Sequence, residues 1–335
     1  MAPSATVNPS CIPHSFPFDP TQGYDRAALL RVKAPAEEPP DFREFWKGLR
    51  RQAESLPLDL TVAKEQNAPS GFRLLRLTYA IGQSFRSSAW LMLPEDTESI
   101  RGGIIATHGY GGCPAVEPRF FRPGFAVVLP VAPGFHISSD SRLPLNNADR
   151  HVLHGIETPQ TYVLGLCAAA IWKSLDATHA VLGRELGRWH YFGWSFGGGM
   201  GALALPWEPR VQSAELGQPT FGHHPIRLKQ PSTGSSNAVR TRFLHDPKIT
   251  QTLAYFDSAI SIQHLAAPVV FACSLFDPAV TPPGQFAVAN AHRGPKHISC
   301  FLTGHFDWAN PNLAEEMREH HRAIQTLIGA DFVIP

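Results

Sequence analysis

No apolar run in this chain is long enough to cross a membrane as a helix, and neither sign of charge is in excess. Lys plus Arg number 29 against 28 Asp plus Glu, so no net field draws the chain to nucleic acid or to an anionic bilayer. Basic runs interleaved with aromatic residues are missing too. Cysteine is sparse: Cys11, Cys113, Cys167, Cys273 and Cys300 are odd in number, widely spaced and without a C-x-x-C pair. Cys167, Cys273 and Cys300 fall in apolar runs and read as small buried hydrophobes, a usage that suits a reducing compartment. The opening MAPSATVNPSCIPHSFPFDP lacks the charged start and apolar stretch of a secretory signal. The expectation is a cytoplasmic protein with no membrane and no nucleic-acid partner. Among 16 histidines, the pairs His151/His154, His223/His224 and His320/His321 stand out, yet no H-E-x-x-H and no nearby Cys pair accompanies them. No metal is expected, and the pairs read as surface or structural. FGGGMG lacks the Gly-Lys-Ser/Thr ending of a phosphate loop, so no nucleotide or other cofactor is expected.

What is present is the composition of a globular enzyme-sized chain: 335 residues, 43% hydrophobic and 17% charged. Its 31 prolines are spread out and argue for rigid loops around an ordered core. Residues 1–40 read as an extended arm wrapping the body. DFREFWKGLRRQAESL, 41–56, reads as an amphipathic helix with Phe42, Phe45, Trp46 and Leu49 on its packing face and Asp41 as N-cap. FRLLRLTYA (72–80) and SSAWLMLP (87–94) read as an antiparallel strand pair at a sheet edge. From residue 102 the pattern changes to short apolar runs at 102–109, 124–131, 188–193, 211–216, 267–274 and 297–304. Helical stretches lie near 159–176, 196–205, 283–291 and 313–328. In the first of these, Val163, Leu166, Cys167, Ala170 and Ile171 share a face. Strands buried on both faces and alternating with helices imply a mostly parallel central sheet with helices on both faces, an α/β fold with an N-terminal extension. One domain is expected over 1–335. Residues 1–95 form the arm, helix and edge strands, and 96–335 form a catalytic core with an excursion at 219–248 that covers a site.

The chemistry is carried by FGWSFGGGMGALAL, 192–205. Gly193-Trp194-Ser195-Phe196-Gly197 matches G-x-S-x-G, with an apolar strand before it and a small-residue helix start after it. That is the setting of a nucleophile elbow, where a tight turn lifts a serine hydroxyl clear of the sheet. Serine needs a base, and the base an orienting acid. SLFDPAVTPP places Asp277 after one late strand and LTGHFDW places His305 after the next, in the order Ser, Asp, His. Asp307 follows His305 too closely to be the orienting acid. An oxyanion hole needs two backbone N–H donors. Phe196, after the nucleophile, supplies one, and Tyr110 in THGYGGC (107–113) the other.

With these residues in view, the chain resembles the acetyl xylan esterase/cephalosporin-C deacetylase family of α/β-hydrolases. The likeness runs from DFREFW through HGYGG, the elbow with its GGG, PRVQSAELGQPTFGHHP, and AYFDSAISIQHLAAPVVFACSLFDPAVTPP to HRGPKHISCFLTGHFD. It implies hydrolysis of acetyl esters on xylo-oligosaccharides or similar small compounds. It carries Ser195, Asp277 and His305 as the triad, with the N–H groups of Tyr110 and Phe196 as the oxyanion hole. Tyr110, Trp194, Pro219 and Val280 are the candidate substrate-binding residues. The likeness also implies a homo-oligomer, a hexamer. Three departures stand out: Phe196 where the family has Gln, Phe306 where it has Glu, and Pro133-Gly134-Phe135 in place of Arg-Gly-Gln. They imply a more apolar pocket around Trp194 and Phe196. The alternative readings are another ester or amide hydrolase of this fold, such as a broad carboxylesterase or peptidase, and a non-catalytic binding protein on the same scaffold.

Overall fold

The computed structural model describes residues 7–82 and 84–334. Among the described residues nine strands form one sheet: β1 Thr61–Glu65, β2 Phe72–Ala80, β3 Arg86–Pro94, β4 Gly102–Thr107, β5 Phe125–Val131, β6 Trp189–Trp194, β7 Val211–Gly217, β8 Val269–Phe276 and β9 Lys296–Thr303. Their spatial order is β1-β2-β3-β5-β4-β6-β7-β8-β9. Pairings from β1 through β3 to β5 are antiparallel; those from β5 through β4 to β9 are parallel. The longer helices are α1 Phe42–Ser55, α2 Val163–Leu182, α3 Phe196–Ala204, α4 Gly234–His245, α5 Pro282–Ala291 and α6 Leu313–Leu327.

The apolar runs read from the sequence become β2 to β9, each end within two residues of its expected place. The sheet edge differs from expectation. β1, TVAKE, takes the edge beside β2, so β2 and β3 lie further in and β3 pairs with β5. An edge strand with solvent on both faces needs backbone partners more than an apolar pattern, and β1 is mostly exposed. Helix α2 starts after a turn in which Thr161 N–H donates to the Thr158 carbonyl, and it runs on to Gly183, which adopts the left-handed conformation at φ 66°. It is buried nearly all round, because the sheet packs on one side and α1 on the other. The single face read from Val163 to Ile171 is therefore part of a wider buried surface. The excursion 219–248 holds α4 and a short turn of helix at His224–Arg227.

Helix α1 buries Phe42 and Trp46 completely. The Trp46 indole lies parallel to that of Trp207, centroids 6.2 Å apart, and its Nε1–H donates to the Tyr255 carbonyl at 2.9 Å. Asp41 precedes the helix but does not cap it. Its carboxylate instead accepts a hydrogen bond from the Tyr255 hydroxyl. Between β4 and β5 the chain crosses over with only a short 3-10 turn, Pro118–Phe120, where a parallel connection usually carries an α-helix. Truncating Trp46 to Ala, which removes a fully enclosed indole and its hydrogen bond, should cost about 3–5 kcal/mol of stability. Urea unfolding of the two proteins measures this.

Candidate active site

The elbow is built from strain that its surroundings hold in place. Ser195 has φ 57° and ψ −117°, a region L-residues rarely adopt. Its N–H donates to the Gly217 carbonyl at 2.8 Å, and its carbonyl accepts from Gly199 N–H at 3.0 Å. Gly193 is required by space: a Cβ there would strike Thr107 Oγ1 and lie 2.7 Å from the Gly197 carbonyl. Beneath the turn, the buried Tyr191 hydroxyl accepts from Thr107 Oγ1 at 2.9 Å and donates to the Gly197 carbonyl at 2.6 Å.

The three residues read as a triad meet at the carboxyl ends of β6, β8 and β9. The Ser195 hydroxyl and His305 Nε2 are 2.8 Å apart, and His305 Nδ1 lies 2.8 Å from Asp277 Oδ2. With the proton on Nδ1, the imidazole donates to the carboxylate and accepts from the serine, the arrangement a general base needs. Asp277 has no exposed surface. Its Oδ1 accepts from the N–H groups of Ala279 and Val280, both at 2.9 Å, and its Oδ2 accepts from Gln285 Nε2 at 3.0 Å. Gln285 is itself fixed, because it accepts from Ser274 N–H at 2.8 Å and donates to the Val280 carbonyl at 2.6 Å. Gly304, before the histidine, leaves room for the carboxylate; a Cβ there would collide with Asp277 Oδ2. For His305, partial burial opposes the charged imidazolium, but the charge of Asp277 and its hydrogen bond outweigh that and raise the pKa above 6.5.

Of the two expected oxyanion donors, Phe196 is the first residue of α3, where a backbone N–H has no partner within the helix. Tyr110 follows Gly109, whose side-chain position lies 3.9 Å from Ser195 Cβ. The phenol of Tyr110 donates to His151 Nδ1 at 3.1 Å, and His151 Nε2–H donates to the Pro133 carbonyl at 2.8 Å. Burial pushes His151 down to about 4, so it stays neutral. His108 behaves likewise: desolvation pushes it to about 4, its Nδ1–H donates to the Gly109 carbonyl at 2.7 Å, and Nε2 accepts from Ala132 N–H at 2.9 Å. The sequence marked His151 only as one of a surface or structural pair and passed over His108 and Gln285. Nothing in their local patterns separates them from other histidines and glutamines.

The candidate substrate-binding residues do not all line one wall. The Tyr110 ring stacks on Phe196 with centroids 4.2 Å apart. Trp194 turns along the sheet face, where its Nε1–H donates to Glu215 at 2.9 Å and its ring packs on Phe301 and on His320, itself 3.1 Å from Glu215. Its indole therefore lines a cleft on that face of the sheet. Strand alternation sets its direction, since successive side chains point to opposite faces and Trp194, the last residue of β6, shares a face with Phe192. Pro219 is buried against the first turn of α3, and the N–H of Val280 serves the acid. On the Trp194 side of the sheet, a cleft of about 410 Å³ is lined by Phe120, Phe192, Trp194, Glu117, Glu215 and Gly109 among others. It lies beneath the crossover that lacks a helix.

The acetyl xylan esterase (AXE1) family matches residues 27–320. The chain belongs to this family. The solved acetyl xylan esterase from Paenibacillus sp. R4 superimposes with a TM-score of 0.78 at 19% identity, covering 91% of this chain and 100% of that one. Acetyl xylan esterase 1 from Thermoanaerobacterium sp. JW/SL YS485 gives 0.76 at 19% identity, covering 89% and 98%. Pyrococcus horikoshii acylaminoacyl peptidase shares the fold more distantly, with a TM-score of 0.53 at 12% identity over 82% of this chain and 42% of that one. No curated protein sequence matches the chain. The protein is thus a carboxylic ester hydrolase of the α/β-hydrolase fold.

Three outcomes follow for this esterase. In a Gln285→Leu variant the Asp277 carboxylate loses a fixed donor, and kcat for p-nitrophenyl acetate should fall roughly 10- to 100-fold with KM little changed. Because the base must be neutral to work, activity should disappear as pH falls through the raised pKa of His305, with the acid limb of kcat/KM centred above 6.5. Asp277→Asn should lower that midpoint and reduce kcat by about 10⁴, which a pH–rate profile of both proteins would reveal.

Proposed function

We propose that this esterase removes acetyl groups from xylo-oligosaccharides or similar small acetylated compounds through an acyl-enzyme. The hydrogen-bonded line from Ser195 through His305 to Asp277 carries the reading. Ser195 Oγ attacks the ester carbonyl while His305 Nε2 takes its proton, and Asp277 holds the imidazolium. The N–H groups of Tyr110 and Phe196 receive the oxyanion. His305 then gives its proton to the departing alcohol and later draws one from water, whose oxygen releases acetate and restores Ser195.

Two features favour a short acyl group on a sugar. The stack of Tyr110 on Phe196, 4.2 Å between centroids, sets packed rings beside the expected donors, a wall that suits a small acyl group. The cleft bounded by Gly109 and Trp194 offers aromatic faces together with the carboxylate of Glu117, groups suited to the C–H faces and hydroxyls of a sugar. Assembly as a hexamer belongs to the same reading, and a light-scattering mass of one chain would count against it. The family's deacetylation of cephalosporin-type acetyl esters is consistent with the same chemistry.

The test is acetate release from acetylated xylo-oligosaccharides beside p-nitrophenyl acetate and butyrate, with Ser195→Ala as control. The expected outcome is acetate from the sugar, a preference for acetate over butyrate, and loss of kcat by several orders of magnitude in the variant. Turnover of nitrophenyl esters alone would point to a broad carboxylesterase. Activity that persisted in Ser195→Ala would overturn the mechanism.

A further inference from the structure

The stretch Ile12 to Pro20 lies outside the residues matched to the family, 27–320, yet it touches the flank of both the acid and the base. Phe276 precedes Asp277, and Phe306 follows His305. Phe276 forms a buried apolar cluster with Ile12 and Leu302, separate from the main core, and the partly buried Val7, Phe16, Phe306 and Trp308 pack against it. The Phe16 ring meets Phe306 edge-on at 5.5 Å between centroids, and His14 meets Phe276 at 5.4 Å. Phe276 and Phe306 are themselves 5.2 Å apart. The Pro20 carbonyl accepts a hydrogen bond from the Asp277 N–H at 3.3 Å.

The arm is anchored so that these contacts can bear on the loops. The Asp19 carboxylate accepts from Thr21 N–H at 2.9 Å, Thr21 Oγ1 at 2.7 Å and Gly23 N–H at 3.1 Å, which fixes the chain around Pro20. Gln22 Nε2 donates to the Pro231 carbonyl at 2.9 Å, tying the arm to the excursion. The Asp277 and His305 loops, in turn, are joined by Gly304 N–H donating to the Phe276 carbonyl at 2.8 Å. His305 sits on an irregular segment after β9, with 29% of its side chain exposed. Phe306 is one of the three departures from the family pattern. A glutamate there would bring a charge into a cluster of apolar side chains, whereas phenylalanine gives the arm a surface to pack on.

We propose that residues 12–20 are a positioning element of the active site, in which Phe16 and Pro20 hold the His305 and Asp277 loops at hydrogen-bonding distance from each other. The proposal rests on the Ser195–His305–Asp277 assignment but on no particular ester, so p-nitrophenyl acetate is the substrate for its test.

Phe16→Ala in the full chain should lower kcat roughly 10- to 100-fold, the scale of a small misplacement of catalytic groups, while KM changes less than about twofold. The acid limb of kcat/KM should move down toward 6.5, the ordinary histidine value, as the His305–Asp277 contact loosens. Phe306→Ala should do the same, and the double variant should be no worse than Phe306→Ala alone, because one contact is removed by either change. Phe16→Leu, which keeps apolar bulk, should restore much of kcat and gives a reading even if Phe16→Ala fails to fold. Leu29→Ala is the control: it empties a fully buried site outside the cluster, so it should lower stability while leaving kcat and the acid limb unchanged. Wild-type kcat and pH profile in both Phe16 variants would overturn the proposal, as would the same shifts in Leu29→Ala. Persistence of turnover in Ser195→Ala would instead show that the triad assignment beneath it had failed.

Discussion

A carboxylate with no solvent exposure is tolerated only where protein donors replace its water, and that requirement at Asp277 organises this end of the molecule. Ala279 and Val280 must turn their N–H groups back onto Oδ1, and Gln285 must approach Oδ2 from the first turn of α5. Gln285 can do so because the end of β8 presents Ser274 N–H to its other side. The remaining access to Oδ2 is from His305, and Gly304 keeps that approach open. The donors thus fix the acid, the acid fixes the imidazole, and the imidazole fixes the serine hydroxyl.

The departures from the family pattern act together. Phe196 stacks on Tyr110, and Phe135 packs against His151 at 5.0 Å and Tyr110 at 6.0 Å between centroids. Phe196 also faces His108 at 6.0 Å and Phe221 at 6.0 Å. The oxyanion loop of this chain is supported by ring packing, with two neutral histidines as tethers. Aromatic rings lock one another through shape and buried area, with about 0.5–1.5 kcal/mol per pair beyond burial. They offer a substrate no hydrogen bonds beside the nucleophile. Phe306 repeats the exchange on the far side of the site, where it packs on Phe16 and Phe276.

The parts of the fold carried by local pattern were legible in the sequence. Continuous apolar runs gave β4 to β9 because a parallel strand buried on both faces has no polar alternation to disguise it. The serine, aspartate and histidine were legible because each follows such a run, at the strand ends where this architecture gathers its chemistry. β1 was not, since TVAKE pairs through its backbone and leaves its side chains to solvent. α2 extends beyond its sequence pattern because its C-terminal half, KSLDATHAVL, mixes polar and apolar residues, while neighbouring layers bury Lys173, Ser174 and Thr178 all the same. Lys173 reaches the Leu56 carbonyl at 3.0 Å. The roles of His108, His151 and Gln285 depend on partners 8 to 41 residues away, pairings that neither helical nor strand periodicity singles out.

Two histidines that stay neutral near neutral pH stand beside one that must gain and lose a proton. His108 and His151 each donate from one ring nitrogen to a backbone carbonyl and accept at the other, so protonation would turn an acceptor into a donor facing a donor. Both are held at about 4 by desolvation, well below the range in which His305 titrates. The loop that carries Tyr110 therefore keeps one hydrogen-bond pattern across neutral pH. His305 is pushed the other way, because its second nitrogen meets a carboxylate rather than a carbonyl. The same side chain is thereby made a fixed strut in two places and a proton carrier in a third, and what decides between them is the charge of the group opposite Nδ1 or Nε2. This separation lets the oxyanion loop hold its geometry through the cycle in which His305 gains and loses its proton.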